Sequence, residues 1–585
     1  MLLLGAGQSK PGLAAQIQGG FYPAQQSDQL PADPTRAAVQ GVVRNSATGE
    51  PLPRALVQIE GDADTGTLTD GEGRFEIPGV PVGPQTFRIV KPGFRDRPYP
   101  TEEAGLQAEG PAHSVLVAGQ MPDLVFSLAP NCAIHGRIQL STGDPADGII
   151  VDLLKETVRF GRAVWTMEAN THANGDGAYR FGGLPEGVYA IYTQPALESE
   201  PVVSVVAAGN AANVTRSGYP AVFYPDARDL AGAARIRLSG GAQDEANFSL
   251  TLGPFYPVTA FAGAQTDTPS SGKSGLQATY TATVMDAAGH VLPYTAQYDE
   301  ATRSLQANLP DGTYSLLAIG TRGIQFEGRA TSALFADSHR GGFAGSVEFT
   351  VAGRPVTGLR IPPGTPPTAV VHLRLIHNAE NSASATLAGA KAAEVVNLSL
   401  DSTDGVPPNS GEISVSMDHE SDTITFTAQP GSYWLSANLQ HAGLCAGAFN
   451  AGSFNLAREP LVFGLSAAPP PMEFALRDDC GTLALTLPPA LATFLPGEES
   501  FYTVYVVPDF DTVQDLPPMT IHPSSGPTLT LDSLTPGSYH VYTFDSPVHL
   551  EYRNPAVLSA LANSGQQVTV SAGTTSSLIL EVPGH

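Results

Sequence analysis

The sequence predicts an all-β protein, a tandem array of about five β-sandwich modules with few short helices. Three observations carry this. First, one phrase returns along the chain: "GLPEGVYAIYTQP" at 183–195, "NLPDGTYSLLAIG" at 308–320, "AQPGSYWLSANL" at 428–439, "SLTPGSYHVYTFD" at 533–545 and, more faintly, "GVPVGPQTFRI" at 79–89. Second, its glycines (Gly83, Gly187, Gly312, Gly431 and Gly537) are spaced by about 100–125 residues, the length of one sandwich rather than of a solenoid repeat. Third, glycine (61) and proline (50) are abundant without a three-residue period, which means many turns and excludes a collagen-like chain.

The phrase has a physical reading. In Leu184-Pro185-Glu186-Gly187-Val188-Tyr189 the proline suits the second place of a type I turn and the glycine the fourth. The residues that follow alternate: Tyr189 and Ile191 point one way, Ala190 and Tyr192 the other. Each echo is therefore a tight turn feeding a strand whose first inward residue is a tyrosine. After each comes a small-residue break and a closing strand: "VAGQMPDLVFSLAP", "LSGGAQDEANFSLTLGP", "VAGRPVTGLRIPPG", "LSAAPPPMEFALRDD" and "VSAGTTSSLILEVP".

These signals divide the chain at about 129, 254, 365 and 477. Residues 1–35 read as a flexible lead-in or truncated signal region, followed by modules at 36–128, 129–253, 254–364, 365–476 and 477–585. Two joints, "IPPGTPP" at 361–367 and "SAAPPPM" at 466–472, have linker composition. Helix is expected only at 554–565, with Asn554 as cap, Pro555 in the first turn and Gly565 as terminator, and at "LAGAKAAEVV", 387–396.

Apolar residues make up 42% of the chain and charged residues 15%, enough apolar material for real cores. The net charge of −26 opposes binding to nucleic acid or to anionic membrane, and no Lys/Arg cluster reverses it locally. No apolar run is long enough for a membrane-spanning helix. The opening "MLLLGAGQSKPGLAAQIQGG" is an incomplete export signal as written, with a short apolar start and no basic region before it. Three cysteines without CxxC spacing exclude a disulfide-rich scaffold or a zinc ribbon. Cys445 and Cys480 flank one inferred boundary and either bridge there or remain buried thiols, as Cys132 would.

Residues 38–94 read "AVQGVVRNSATGEPLPRALVQIEGDADTGTLTDGEGRFEIPGVPVGPQTFRIVKPGF", with strands at 38–44, 55–60, 74–78 and 85–90. A G-x-V strand (Gly41, Val43) leads into a T-G-x-P-L turn and an A-x-V strand (Thr48, Gly49, Pro51, Leu52, Ala55, Val57). A T-D-x-x-G-x-F hairpin (Thr69, Asp70, Gly73, Phe75), the turn glycine Gly83 and the pair Gly93-Phe94 complete the pattern. This stretch resembles a carboxypeptidase regulatory-like domain. One departure is "GPQTF" at 83–87, where the family has G-x-Y. Module two repeats parts of the pattern in "IHGRIQL", "NGDGAYRF" and "GLPEGVYAIY"; later modules keep only the turn phrase and the closing strand. The resemblance implies an immunoglobulin-like or prealbumin-like sandwich, related to carbohydrate-binding folds. Such domains occur on zinc carboxypeptidases, in bacterial surface and secreted proteins and at the start of some outer-membrane transporters.

Catalytic chemistry is not expected. His377-Asn378-Ala379-Glu380 matches the His-x-x-Glu of zinc carboxypeptidases, but no peptidase domain surrounds it and a polar loop is the better reading. "SSGKSG" at 270–275 lacks the first glycine of a phosphate loop, since Asp267 holds that place. Glu60, Asp62, Asp64, Asp70 and Glu72 have calcium-binding chemistry, but Asp-Gly and Glu-Gly pairs also serve tight turns, the favoured reading.

Trp434 is the one candidate ligand platform. It follows the inward tyrosine Tyr433, where Ala190, Ser315 and His540 stand in the other echoes, and so lies on the outer face of its sheet. There it stacks a sugar or packs on a neighbouring module. Trp165 in "RAVWTMEA" is expected in a core. The expectation is a non-catalytic, extracytoplasmic protein without cofactor. It acts as a binding or presentation scaffold for an envelope protein or a glycan. The alternatives are a carbohydrate-binding protein and an accessory subunit of a peptidase or transporter.

Overall fold

The computed structural model describes residues 35–96, 113–119, 121–198, 202–204, 213–262, 276–287, 289–299, 302–324, 343–362, 368–376, 396–403, 417–420, 422–428, 431–439, 443–464, 468–489, 502–521, 527–545 and 548–582. It is built from strands, with the single helix Pro555–Ala560 among the described residues. The expected helix at 554–565 is thus shorter. Asn554 Oδ1 caps it by accepting from Ala556 N at 3.1 Å, but it stops at Ala560. Gly565 lies under the Tyr542 ring instead, where a Cβ would sit 2.7 Å from a ring carbon. The other expected helix lies outside the described residues except for Val396, which opens a strand.

One topology occurs five times. In each module the closing strand returns parallel to the opening strand: Leu124–Pro130 beside Arg36–Asn45, Phe248–Leu250 beside Cys132–Leu140, and Val356–Ile361 beside Gly253–Ala262. Met472–Arg477 lies likewise beside Thr368–Ile376, and Thr575–Ile579 beside Gly481–Thr486. In each module, too, the strand after the turn phrase pairs antiparallel with an earlier one, as Gly187–Thr193 does with Ile150–Arg159 and Gly431–Leu439 with Val396–Ser402. Burial alternates along the strands, so one face of each feeds the core. Main cores group residues 37–128, 132–250, 256–361 and 483–582, and a further core groups 369–476 with Val513.

The turn phrase acquires a second function in three dimensions. Tyr189, Tyr314 and Tyr539 are buried, and each hydroxyl turns back to donate to the carbonyl four residues upstream: Pro185 at 2.8 Å, Pro310 at 3.0 Å and Thr535 at 2.6 Å. In modules three and four the tyrosine ring lies over the glycine two residues before it, whereas in module five Phe510 covers Gly537. A Cβ on Gly312 would meet the Tyr314 hydroxyl at 2.8 Å, and one on Gly431 the Tyr433 hydroxyl at 3.1 Å. Module one lacks the tyrosine; there Phe87 fills the core and Gly83 is held at φ +122°, a conformation that favours glycine.

The modules do not form an open string. Strand Asn213–Tyr219 of module two pairs with Gly253–Ala262 of module three, so the two share a sheet. Arg95 of module one donates to Asn131 Oδ1 at 3.1 Å and to the Gly183 carbonyl. Modules four and five meet through Val513, fully buried in the fourth core, and through hydrogen bonds from Ala437 N to Val513 O (2.8 Å) and from Asp515 N to Ala437 O (3.0 Å).

Candidate functional site at the Trp434 junction

The site begins with a long hairpin in module two. Strands Ile150–Arg159 and Arg162–His172 pair antiparallel and are joined by Phe160 and Gly161, at φ +47° and +71°. Two central residues with positive φ make the tight turn that matches strand twist. Its tip reads Arg159-Phe160-Gly161-Arg162 and reaches modules four and five.

Trp434 receives it. The Arg162 guanidinium carbon lies 3.5 Å from the Trp434 ring centroid, a close cation–π contact, and Arg162 Nη2 donates to Ala457 O at 3.1 Å. Asp401 is the cross-strand partner of Trp434, and its Oδ1 lies 3.4 Å from Arg159 Nη2. From module five, Arg553 N donates to Gly161 O at 3.0 Å, and the Tyr552 ring covers Gly161 so closely that a Cβ there would sit 2.6 Å away. Arg553 Nη2 donates to Gln514 O at 3.3 Å and Tyr552 Oη to Asp515 Oδ1 at 3.5 Å. Three modules thus converge on one turn.

Burial sets the electrostatics here. It lowers the Arg162 pKa to about 10, helped by neighbouring Arg553 and opposed by Tyr552. Burial raises the Asp401 pKa against the pull of Arg159, and Asp401 Oδ2 is buried without a hydrogen bond. Burial likewise raises Asp515, opposed by Arg553 and Tyr552 and reinforced by Asp401. Further along the hairpin, burial lowers Lys155, opposed by Glu168 and helped by Arg95. His549 of module five is lowered by burial and then by Lys155.

Beside the junction, modules four and five enclose a cleft of about 300 Å³ lined by Phe449, Asn455, Arg477, Phe510, Asp511 and Thr535. Its charges are already paired: Arg458 with Asp511 at 2.6 Å, and Arg477 with Asp479 at 2.8 and 2.6 Å. Nearby, Cys445 and Cys480 are joined by a disulfide, with Cα atoms 5.8 Å apart. Cys132 is a buried free thiol.

The remaining sequence candidates fall in different places. Trp434 is on the outer face of its sheet, half-buried, with one ring face occupied by Arg162. The equivalent outer positions in modules two and three are not open: Ala190 and Ser315 are buried. Trp165 is not in the main core; it packs half-buried against a smaller cluster with Leu154, Tyr192 and Phe223. Asp70 Oδ1 accepts from Glu72 N at 3.0 Å and Arg74 N at 2.7 Å, as an Asx turn does. Among the described residues no group of three or more His, Cys, Asp or Glu is placed to hold a metal ion, and no helix is long and apolar enough to cross a membrane. The side chains of Asp62 and Asp64, the His377–Glu380 motif and the 270–275 loop lie outside the described residues. Sequence reasoning missed Arg159, Arg162, Asp401, Asp515, Tyr552 and Arg553. "RFGRA" at 159–163 carries the available signal, a glycine turn between alternating strands.

Module one explains its own motif. Gly41 faces Phe75 across the sheet, and a Cβ there would sit 2.8 Å from the ring and 2.3 Å from Leu124 O. Buried Thr69 donates to Leu52 O at 2.6 Å and accepts from Ala55 N at 2.8 Å, tying hairpin to turn. Gly73 has φ +72°, and a Cβ there would sit 2.8 Å from Val43 O. Residues 38–115 match the family model of the carboxypeptidase regulatory-like domain.

Module two repeats the regulatory-like devices: Gly136 lies beneath Tyr179, and Gly177, at φ +71°, is placed as Gly73 is. No curated protein matches the chain. Among solved structures, it is similar to the TIE protein of Bacillus anthracis, at 8% identity over 93% of this chain and 68% of that one, TM-score 0.14. The minor pilin GBS52 of Streptococcus agalactiae shares 12% identity over 37% of this chain and 95% of that one, TM-score 0.17. BcpA, the major pilin subunit of Bacillus cereus, shares 7% over 77% and 99%, TM-score 0.13.

Proposed function

We propose that the chain is a non-catalytic scaffold that works outside the cytoplasm and holds β-sandwich surfaces in fixed relative positions for an envelope protein or a glycan to bind. The observation that carries this reading is the convergence of modules two, four and five on the turn Arg159–Arg162. A flexible string has no use for a glycine fitted under Tyr552 or a guanidinium laid on Trp434. The charged groups there are engaged in holding the modules together. The Cys445–Cys480 disulfide supports an oxidising compartment, where such bonds persist.

Fractionation of the native host with thiol counting tests this reading. The scaffold is expected in the envelope or medium with one free thiol, Cys132. A cytoplasmic protein with three reactive thiols after unfolding would contradict it. Cross-linking in the native envelope and a glycan array then separate a protein partner from a sugar.

A further inference from the structure

The tip contact is an interface between parts of the chain that are distant in sequence. Arg162 Nη2 reaches Ala457 O, 295 residues away, and module three intervenes between hairpin and receptor. The contact consists of a self-contained donor and a self-contained receptor. The donor is a rigid turn carrying two guanidinium groups. The receptor is the Trp434 ring, the Asp401 carboxylate, the Ala457 carbonyl and the Arg553–Tyr552 edge. On a chain of net charge −26, two copies repel in general, yet this pair of patches is complementary.

We propose that the Trp434–Asp401 receptor also accepts the arginine-tipped hairpin, residues 150–172, of a second copy of the chain. The inference extends the scaffold reading by naming what the junction recognises: a guanidinium presented on a tight β-turn. Within one chain the tip and its receptor are tethered, so an intact chain closes on itself at ordinary dilution. Exchange of an identical element is a low-cost route to a dimer once that internal contact is disabled.

Two full-length variants separate the halves. Arg159→Ala with Arg162→Ala removes the donor and leaves the receptor open. Trp434→Ala removes the receptor and leaves the hairpin free. Each alone is expected to sediment as a monomer, and their equimolar mixture as a one-to-one complex of twice the mass. The complex is expected to disappear when the Trp434→Ala chain also carries Gly161→Val. If Trp434→Ala fails to fold, Asp401→Lys replaces it as the receptor-defective chain, repelling Arg159 without emptying the sheet surface. A mixture that stays monomeric while both variants keep the wild-type circular dichroism spectrum and a cooperative unfolding transition would overturn the proposal. So would a complex that survives Gly161→Val, because the tip would not be the contact. Scattering from the wild-type chain is independent of both: an extended wild-type chain would count against the scaffold reading and leave the mixing result to stand by itself.

Discussion

The Tyr539 hydroxyl donates to the Thr535 carbonyl at 2.6 Å, closing the turn that launches its own strand. Tyr189 with Pro185 and Tyr314 with Pro310 repeat the bond. The phrase recurs because one buried ring fills the core and satisfies a carbonyl, and at Tyr314 it also covers the turn glycine. Tyr539→Phe keeps the ring and orphans the carbonyl, so it should cost about 1–3 kcal/mol of unfolding free energy in urea. A change within error would mean that the bond is incidental.

Gly161→Val tests the tip. A β-branched residue at φ +71° is strained by about 1–3 kcal/mol, and its side chain would collide with Tyr552. The strain should open the junction while module two stays folded. Limited proteolysis should then cut near 548–553 at least several-fold faster than in wild type.

Arg162 and Trp434 should be coupled. A double-mutant cycle with Arg162→Ala and Trp434→Ala, read by denaturant unfolding, should give about 0.5–2 kcal/mol of interaction energy, the range for a partly desolvated cation–π pair. Additive losses would show that the stacking contributes nothing.

The disulfide closes a segment of sequence separation 35. Cys445→Ser with Cys480→Ser should cost about 3–4 kcal/mol by the loop-entropy relation. The loss should fall on modules four and five and leave the melting of module one unchanged, as calorimetry of the full chain would show.

Acidification should act on folding stability through the junction carboxylates Asp401 and Asp515. Their pKa values are raised above the ordinary carboxylate value in the folded chain, so the folded state binds protons more readily than the unfolded one. Their contribution to folding stability is fully present below the ordinary carboxylate value of 3.8 and is lost as pH rises through the raised values. His549 works the other way. Its pKa is lowered, so its contribution is present above its ordinary value of 6.5 and is lost as pH falls through the lowered value. Asp401→Asn isolates the carboxylate part: the stabilisation gained between neutral pH and pH about 4.5, read by urea unfolding, should be smaller in the variant than in wild type. Equal responses would remove Asp401 from the account.

Much of the fold was legible because its causes are local. Turn chemistry placed Gly187 and Gly312, and alternation placed Tyr189 and Tyr314 inward and Trp434 outward. The regulatory-like motif was readable for the same reason, since Gly41, Thr69 and Gly73 contact residues of their own module. The junction was not legible. Arg159 and Arg162 look like the charged flanks of any exposed turn, and the partners that give them meaning stand hundreds of residues away. Alternation says that Trp434 faces outward, but the docking of another module decides what covers it. Helix signals at 554–565 were real at the cap, yet Gly565 answers to the Tyr542 ring rather than to the helix.

Small-angle X-ray scattering on the full-length chain, wild type against Gly161→Val, tests the central claim most directly. A folded-back array braced at Trp434 predicts a compact wild-type particle and a longer maximum dimension in the variant. Identical profiles from both chains, each with the dimension of five modules in a line, would contradict it.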